Sequence, residues 1–441
     1  MSNPVTNLTV GGGAGGTEAF YEDLAAMGDL TDDIAGETLG IAVTSHRYLA
    51  DPDLLASAVL NPVGAARFEF AMLGALDGPS GLTATSAGIG LRGITFQATN
   101  QAYHLVDDLN AKALEAGRWL AGAAAVAAPG AAIGVGAFIG ADILVNYDGD
   151  WQRWLVEHPG MVDDLLGMTP GALSALGFPS NLATLTDLVA ATYPDGDPDV
   201  TYAGRDTSDI AADPPDNLAE LFNGLDHRNG TDANIDIRAV TQADGTVAYI
   251  VDIPGTKVWN LPFTNDQGSA NDMGTNVDAI AGNPTVLQEG IQQALIDAKV
   301  PKDAPLMLVG HSQGGIVAAR SVDPLLASGY NITHVVTAGS PVGGIPIDER
   351  VQMLSLENNG DIVPHLDAAE NPNSDNRTTV KFDHQTGTAG GNHAINGNYT
   401  EAARQLDSST DPSVVRFRDS AGVFFGGESV TTEQYKVVRQ R

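Results

Sequence analysis

The stretch LMLVGHSQGGIVAAR, residues 306–320, decides the fold class that we predict for this chain. The unbroken apolar run 306–309 is typical of a short strand that is buried on both faces of a parallel sheet. Residues 315–327 have the apolar spacing of a helix. The turn between them, Gly310-His311-Ser312-Gln313-Gly314, matches the pattern G-x-S-x-G, which presents a strained serine between a strand and a helix. The stretch therefore predicts that Ser312 is a nucleophile.

The surrounding chain alternates between strands and helices. A hairpin is predicted over 235–256, because two strand-like runs flank the turn Asp244-Gly245. The next predicted elements are a helix, a strand and another strand, over 286–298, 334–338 and 351–356. Strands that alternate with helices of this length favour a mainly parallel sheet. We therefore predict an α/β catalytic domain over 235–441.

A serine nucleophile needs a base, which in this arrangement is a histidine further along the chain. His393 lies in a Gly-rich loop just before a predicted C-terminal helix, and such a loop can carry a base above the sheet. His384 is the second candidate and His365 is a further one. His334 begins a predicted strand, so we expect it to be structural. The preferred base is His393.

The base in turn needs a carboxylate that orients it. Asp361 follows the predicted strand 351–356 through a short turn and precedes Ile-Val-Pro364. A carboxylate at the carboxyl end of a sheet strand faces the same crevice as the serine turn. Asp367 and Asp383 are the alternatives. The preferred acid is Asp361.

The tetrahedral intermediate of acyl transfer needs backbone N–H donors, which form an oxyanion hole. One is expected from Gln313, the residue after the nucleophile. The other is expected from Thr256, because the strand 248–253 ends in Pro254-Gly255-Thr256 and Gly255 permits a tight turn. A simple β-turn is the alternative for this loop. The following loop, 257–283, carries Trp259 among polar residues and is interpreted either as a lid or acyl-chain wall, or as a surface loop.

Together these motifs resemble the α/β-hydrolases, most closely the class 3 (fungal-type) lipases, over about residues 245–400. The matching pieces are Pro254-Gly255-Thr256, Gly310-His311-Ser312-Gln313-Gly314-Gly315, Thr337-Ala338-Gly339-Ser340-Pro341, Asp361-Ile362-Val363-Pro364, and His393 with Tyr399. Two departures concern the lipid substrate more than the catalytic residues. Gln313 stands where those lipases commonly have leucine, and in this it is similar to the esterase-like domains of actinobacterial proteins. Pro254 stands where those lipases have a basic residue.

The resemblance implies a serine carboxylic-ester hydrolase with a Ser312–His393–Asp361 triad, an acyl-enzyme intermediate and no cofactor or metal. The implied substrates are acylglycerols, phospholipids or similar lipid esters, with transient contact at a lipid interface. A non-enzymatic, hydrolase-like binding protein is an alternative function.

Composition limits the partners. The chain has 441 residues, no cysteine and a formal net charge of −33. Nucleic acid and anionic membrane surfaces are therefore poor partners, and thiol catalysis is excluded. Asp195, Asp197 and Asp199 alternate like calcium ligands, but the proline between them does not fit an EF-hand loop, so no metal site is expected. Residues 1–17 lack the regions of a secretory signal peptide, so we expect a cytoplasmic protein or export by another route.

Residues 1–192 are predicted to be helical without strands, and 193–234, rich in Asp and Pro, to be an exposed acidic linker. The apolar-periodic segments of the first region are 19–27, 54–60, 67–76, 103–127, 151–158, 160–166 and 172–176. The uncharged stretch 119–141 is long enough for a membrane span, but its Ala, Gly and Pro129 favour a buried pair of small-residue helices.

This helical region resembles, loosely, the N-terminal parts of actinobacterial type VII secretion substrates. The resemblance implies a delivery module that binds a secretion partner, and a secreted lipase or phospholipase toxin as an alternative function. The other interpretation of the region is a cap over the active site or a dimerisation module that forms a homo-oligomer.

Overall fold

The structure of the chain is a computed structural model. It describes residues 4–13, 17–78, 80–97, 143, 190, 192–193, 196–259, 268–367 and 369–440. The chain divides into two compact units. One comprises Glu18–Leu114, and the other comprises Met1–Thr17 with Glu115–Arg441.

The described part of the first unit is helical. Its helices are α1 (Thr17–Ser45, which begins at the unit boundary), α2 (Pro52–Leu60), α3 (Pro62–Asp77) and α4 (82–97). Asp51 and Asn61 accept backbone N–H groups at the starts of α2 and α3, and a proline follows each of them, as is typical of helix N-termini. The predicted helices over 19–27, 54–60 and 67–76 are confirmed.

The other predicted helices of this region, 103–127, 151–158, 160–166 and 172–176, lie outside the described residues, as does the uncharged stretch 119–141. No helix within the described part of the chain is both long and apolar enough to span a membrane.

The second unit contains a nine-stranded sheet. Its strands are β1 (Thr6–Gly12), β2 (Asp197–Asp206), β3 (Ile235–Thr241), β4 (Val247–Ile253), β5 (Pro305–His311), β6 (Asn331–Ala338), β7 (Gln352–Asn358), β8 (Arg377–Asp383) and β9 (Ser429–Gln440). Their order is β1-β8-β7-β6-β5-β4-β3-β9-β2. The five central strands, β4 to β8, pair in parallel, and the outer strands pair antiparallel. The predicted mainly parallel α/β sheet is confirmed for its centre.

Helices cover both faces of this sheet. They are α5 (Asp209–Ala212), α6 (Leu218–Asn229), α7 (Met273–Ala281), α8 (Val286–Asp297), α9 (Gln313–Ala327), α10 (Ala389–His393), α11 (Thr400–Asp407) and α12 (Pro412–Ser420). Helices α7, α8 and α9 share one apolar core with Leu306 and Leu308, whereas α6, α11 and α12 share another with Met307 and Val309. Because side chains alternate along a strand, β5 is buried on both faces, as the apolar run 306–309 predicts.

The prediction of a strand-free N-terminal region is wrong for residues 6–12. They form β1, which pairs antiparallel with β8 at one edge of the sheet. Three of the seven residues of this segment are Asn or Gly, which are uncommon in strands. Its local sequence therefore has no clear strand pattern. Its partner strand lies some 370 residues later in the chain, as the pairing of Thr9 with Lys381 shows. Local periodicity carries no information on a pairing at this distance.

The prediction of an exposed linker over 193–234 is also wrong for its described residues. Asp197–Asp206 forms β2 at the other edge, paired with β9, and its acidic side chains are compatible with an edge strand because one side faces solvent. Leu218–Asn229 forms α6 and buries Leu218, Leu221, Phe222 and Leu225. Their spacing of three, four and seven residues is a helical signal that the Asp-Pro-rich composition around it obscures.

Candidate active site

Ser312 is the single residue between β5, which ends at His311, and α9, which begins at Gln313. Its backbone has φ 56° and ψ −124°, a conformation that residues with a side chain rarely adopt and that is found mainly at functional sites. The Ser312 N–H donates to the carbonyl of Ala338 at the end of β6 (3.0 Å). The strained turn is therefore fixed to the neighbouring strand.

The glycines on either side of Ser312 are required by close backbone approaches. A Cβ at Gly310 would lie 2.2 Å from the backbone of Gly314, and a Cβ at Gly314 would lie 2.0 Å from the carbonyl oxygen of Ile253. No side chain fits either position, which explains the spacing of the G-x-S-x-G pattern. The turn thus packs directly against the end of β4.

The structure brings two of the predicted residues, Asp361 and His393, into contact. Asp361 follows β7 and is 1% exposed, and its Oδ2 accepts a hydrogen bond from Nδ1 of His393 (2.6 Å). Because the carboxylate only accepts, Nδ1 carries the hydrogen and Nε2 is left to accept a proton. Asp361 also accepts from the hydroxyl of Tyr399 (2.6 Å) and from the N–H of Val363 (3.0 Å). Burial, together with the adjacent carboxylate, raises the pKa of Tyr399 well above its ordinary value, so it stays a donor.

This acid–histidine pair meets the serine turn at Gly339, which follows Ala338 and has φ 58°. A Cβ at Gly339 would lie 2.8 Å from the Tyr399 hydroxyl, 2.9 Å from Asp361 Oδ2 and 3.1 Å from His393 Nδ1. No hydrogen bond between Ser312 Oγ and His393 Nε2 occurs among the described residues. In free enzymes such contacts are often long, and they tighten when substrate binds.

His311 contacts the candidate base directly. Its ring lies 4.4 Å from that of His393 (centroid to centroid, interplanar angle 33°), and its Nε2–H donates to the backbone carbonyl of His393 (2.8 Å). Burial is the main cause that lowers the pKa of His311 well below its ordinary value, and the neighbouring His393 is a smaller one. His311 is therefore neutral. His311 thus fixes the backbone of the candidate base from the residue next to Ser312.

The loop 254–258 after β4 lies against Ser312, because a Cβ at Gly255 would be 3.2 Å from the Cβ of Ser312. The Gly255 N–H donates to Oδ1 of Asn229 (3.0 Å), and Nδ2 of Asn276 donates to Oγ1 of Thr256 (2.8 Å). Since Thr256 Oγ1 accepts from Asn276, its own hydrogen is available to another acceptor. The N–H of Gln313, at the first position of α9, has no partner within the helix and lies at its positive end.

The other histidines and acids considered as base and acid make contacts elsewhere. His334 is hydrogen-bonded to Ser420 Oγ (2.9 Å) and makes edge-to-face contacts with Phe417 and Phe424, and burial lowers its pKa to about 4. His384 is buried, and its backbone N–H and carbonyl bond the side chain of Asn358. Asp383 accepts from Asn7 and Asn359, and Asp367 accepts from the backbone of Gly344 and Ala369. His365 lies on the 3-10 helix Val363–Asp367.

Two asparagines that sequence reasoning missed hold the acid and base loops together. Asn392 Nδ2 donates to the carbonyl of Gly360 (2.7 Å), next to Asp361. Asn358 Nδ2 donates to the carbonyls of His384 (2.9 Å) and Asn392 (3.0 Å). Both side chains are fully buried. Asn392 immediately precedes His393 and Asn358 lies three residues before Asp361, and this closeness in sequence is the local signal of their role.

Part of the loop 257–283, interpreted either as a lid or acyl-chain wall or as a surface loop, falls outside the described residues. Residues 260–267 are not described, whereas Trp259 is 72% exposed and Met273–Ala281 forms α7. A cleft of about 430 Å³ opens elsewhere, between α8 and α9, and its lining includes Gln288 and Arg320 but none of the candidate catalytic residues. Within the described part of the chain, no group of three or more His, Asp or Glu side chains is arranged to hold a metal ion.

Comparison of the chain with protein-family models, with curated proteins and with solved structures found no match. What the site can do therefore has to be argued from its residues and their geometry.

Proposed function

We propose that the chain is a serine carboxylic-ester hydrolase of the α/β-hydrolase type, with Ser312, His393 and Asp361 as its catalytic triad. The observation that carries the proposal is the positive φ of Ser312 at the end of a central parallel strand, beside the buried Asp361, which is bonded to the partly exposed His393 at 2.6 Å. Strained backbone conformations of this kind cluster at active sites. The order of the residues along the chain, Ser, Asp, His, is that of α/β-hydrolases.

The geometry supports the following reaction. His393 Nε2 takes the proton of Ser312 Oγ as the oxygen attacks the ester carbonyl, and Asp361 stabilises the imidazolium that forms. The N–H groups of Thr256 and Gln313, with the Thr256 hydroxyl, donate to the oxyanion. His393 then gives its proton to the departing alcohol, which leaves an acyl ester on Ser312. Water, deprotonated by His393, releases the carboxylic acid and restores the serine.

The proposed substrates are lipid esters. This part of the proposal is supported by the resemblance of residues 245–400 to class 3 lipases and by the exposed Trp259 next to the oxyanion loop. The helical unit exposes large apolar side chains, including Leu60 (89%), Val59 (85%) and Phe70 (82%). This exposure favours a partner for the helical unit, as in a delivery or dimerisation module, and makes a secreted lipase or phospholipase toxin the alternative function.

Hydrolysis of p-nitrophenyl esters from C2 to C16 tests the proposal. We expect activity in the wild type and its loss in Ser312→Ala, with the best chain length separating an esterase from a lipase. Equal activity of the two proteins would overturn the nucleophile. If no ester is hydrolysed by either, the hydrolase-like binding protein becomes the better interpretation.

A further inference from the structure

The side chain of Gln313 makes a contact that the proposed chemistry does not require of it. Gln313 is 1% exposed, and its Nε2–H donates to the backbone carbonyl of Asp272 (2.7 Å). The identity of the donor is fixed, because a carbonyl only accepts. The other end, Oε1, is buried and has no hydrogen-bond partner among the described residues.

Asp272 belongs to the segment that supports the oxyanion loop 254–258. The backbone carbonyl of Asn271 accepts from the N–H groups of Lys257 (2.8 Å) and Val258 (3.0 Å). Asp272 forms a bridge with Val258, and Asn271 Nδ2 donates to the carbonyl of Pro254 (3.4 Å). Residues 271–272 are therefore paired with the oxyanion loop along most of its length.

The same segment is bonded to β9 on one side and contacts Thr256 on the other. The carboxylate of Asp272 caps α7 and forms a buried ion pair with Arg439 of β9, with N–O distances of 2.6 and 3.1 Å. Four residues further on, Asn276 donates to the hydroxyl of Thr256. Residues 271–276 thus hold the oxyanion loop on one side, and the side chain of Gln313, the residue after the nucleophile, connects them to the serine turn.

A leucine at position 313 would fill a similar volume without burying an unpaired carbonyl oxygen. Burial of such an oxygen is unfavourable, which points to a role for the bond that the other end of the amide makes. We propose that Gln313 is a positioning residue whose side chain sets the distance between the Thr256 donor and Ser312, in addition to the donor that its backbone supplies. This inference rests on the proposed function.

The test is Gln313→Leu, with Gln313→Met as a second variant in case the first folds poorly, and with Ser321→Ala as the matched control. Ser321 is also buried on α9, and its hydroxyl donates to the carbonyl of Val317 (2.7 Å), one turn earlier on the same helix and away from the site. All variants keep the backbone N–H of residue 313. We measure kcat and KM with a p-nitrophenyl ester, the inhibition constant of an alkylboronic acid, and the melting temperature.

We expect kcat of the Leu and Met variants to fall about 10- to 100-fold with KM nearly unchanged, because misplacement of a donor by a fraction of an ångström affects mainly the transition state. The boronic acid forms a tetrahedral adduct on the serine, so its inhibition constant should rise by the same factor. Ser321→Ala should change neither. A purely structural role would lower the melting temperature and leave the boronate inhibition constant unchanged.

Two results overturn the inference: kcat and boronate inhibition equal to those of the wild type, or a fall in kcat without the matching weakening of the boronate. Failure of the proposed function itself is recognised separately, because the wild type would then neither hydrolyse the ester nor bind the boronic acid.

Discussion

Gly339 offers a sharp test of the Asp361–His393 pair, because its neighbours are the acid, the base and the tyrosine that bonds the acid. In Gly339→Ala the new Cβ would lie 2.8 to 3.1 Å from three atoms that define the pair: Tyr399 Oη, Asp361 Oδ2 and His393 Nδ1. An ordinary contact needs about 3.5 Å. The three groups must therefore move by about half an ångström, while the left-handed φ of 58° adds strain of about 1–2 kcal/mol.

Gly329 supplies the matched control. It has a similar left-handed backbone, φ 86°, after α9, and a Cβ there meets no atom within 4 Å in the described part of the chain. Gly329→Ala should therefore lose about 1–2 kcal/mol of stability and keep its activity. The difference between the two variants isolates the effect of a methyl group inside the acid–base pair.

We expect Gly339→Ala to lose about 100-fold in kcat/KM relative to Gly329→Ala, the scale that misplacement of catalytic groups produces. Urea unfolding gives the stability of both variants, and ester hydrolysis at a temperature where both are folded gives the activity. If Gly339→Ala hydrolyses the ester within threefold of Gly329→Ala, the pair is not in the reaction.

Three further predictions concern Tyr399, Gly314 and His334. Tyr399→Phe removes one of three donors to Asp361, so we expect a several-fold fall in kcat and a loss of about 1–3 kcal/mol in urea unfolding. Gly314→Ala places a Cβ 2.0 Å from a carbonyl oxygen and should not yield an active folded protein, whereas Gly344→Ala, with open space among the described residues, should behave as wild type in the same assay and melting scan. Burial lowers the pKa of His334 to about 4, from 6.5 in the unfolded chain. Between these two pH values the unfolded chain binds one more proton than the folded chain, so the free energy of unfolding falls as the pH falls from 6.5 to 4. Urea unfolding at pH 7 and pH 4.5 should show about 2–3 kcal/mol less of this loss in His334→Gln than in wild type.

The parts of the fold that local sequence determines were predicted well. The run 306–309, the helix after it and the hairpin around Asp244-Gly245 are short segments whose pattern, turn residues and neighbours agree. Each lies within a stretch of about twenty residues, so periodicity alone is informative.

The parts that depend on distant pairing were missed. β9 inserts between β3 and β2, and β1 pairs with β8, so their place in the sheet is set by strands far away in sequence. Helix α6 was missed for a different reason: its four large buried apolar residues are a local signal, but the surrounding Asp and Pro residues dominate the composition of that segment.

The candidate site also has residues that local sequence predicts and residues whose role depends on distant contacts. Ser312, Asp361 and His393 could be named because each follows a recognisable strand or loop signal and chemistry limits the residue types. The side chains of Asn358, Asn392 and Gln313 act through buried hydrogen bonds to backbone carbonyls of other loops. Sequence patterns carry no information on which carbonyl lies opposite them.

The most direct measurement of the central claim is the site of modification by a fluorophosphonate, read by intact mass and peptide mapping. The reagent modifies only a serine that a nearby base activates. The proposed triad predicts one adduct per chain, on Ser312, and none in Ser312→Ala or in folded His393→Ala. An adduct on a different serine, or the absence of any adduct on the folded wild type, would contradict it.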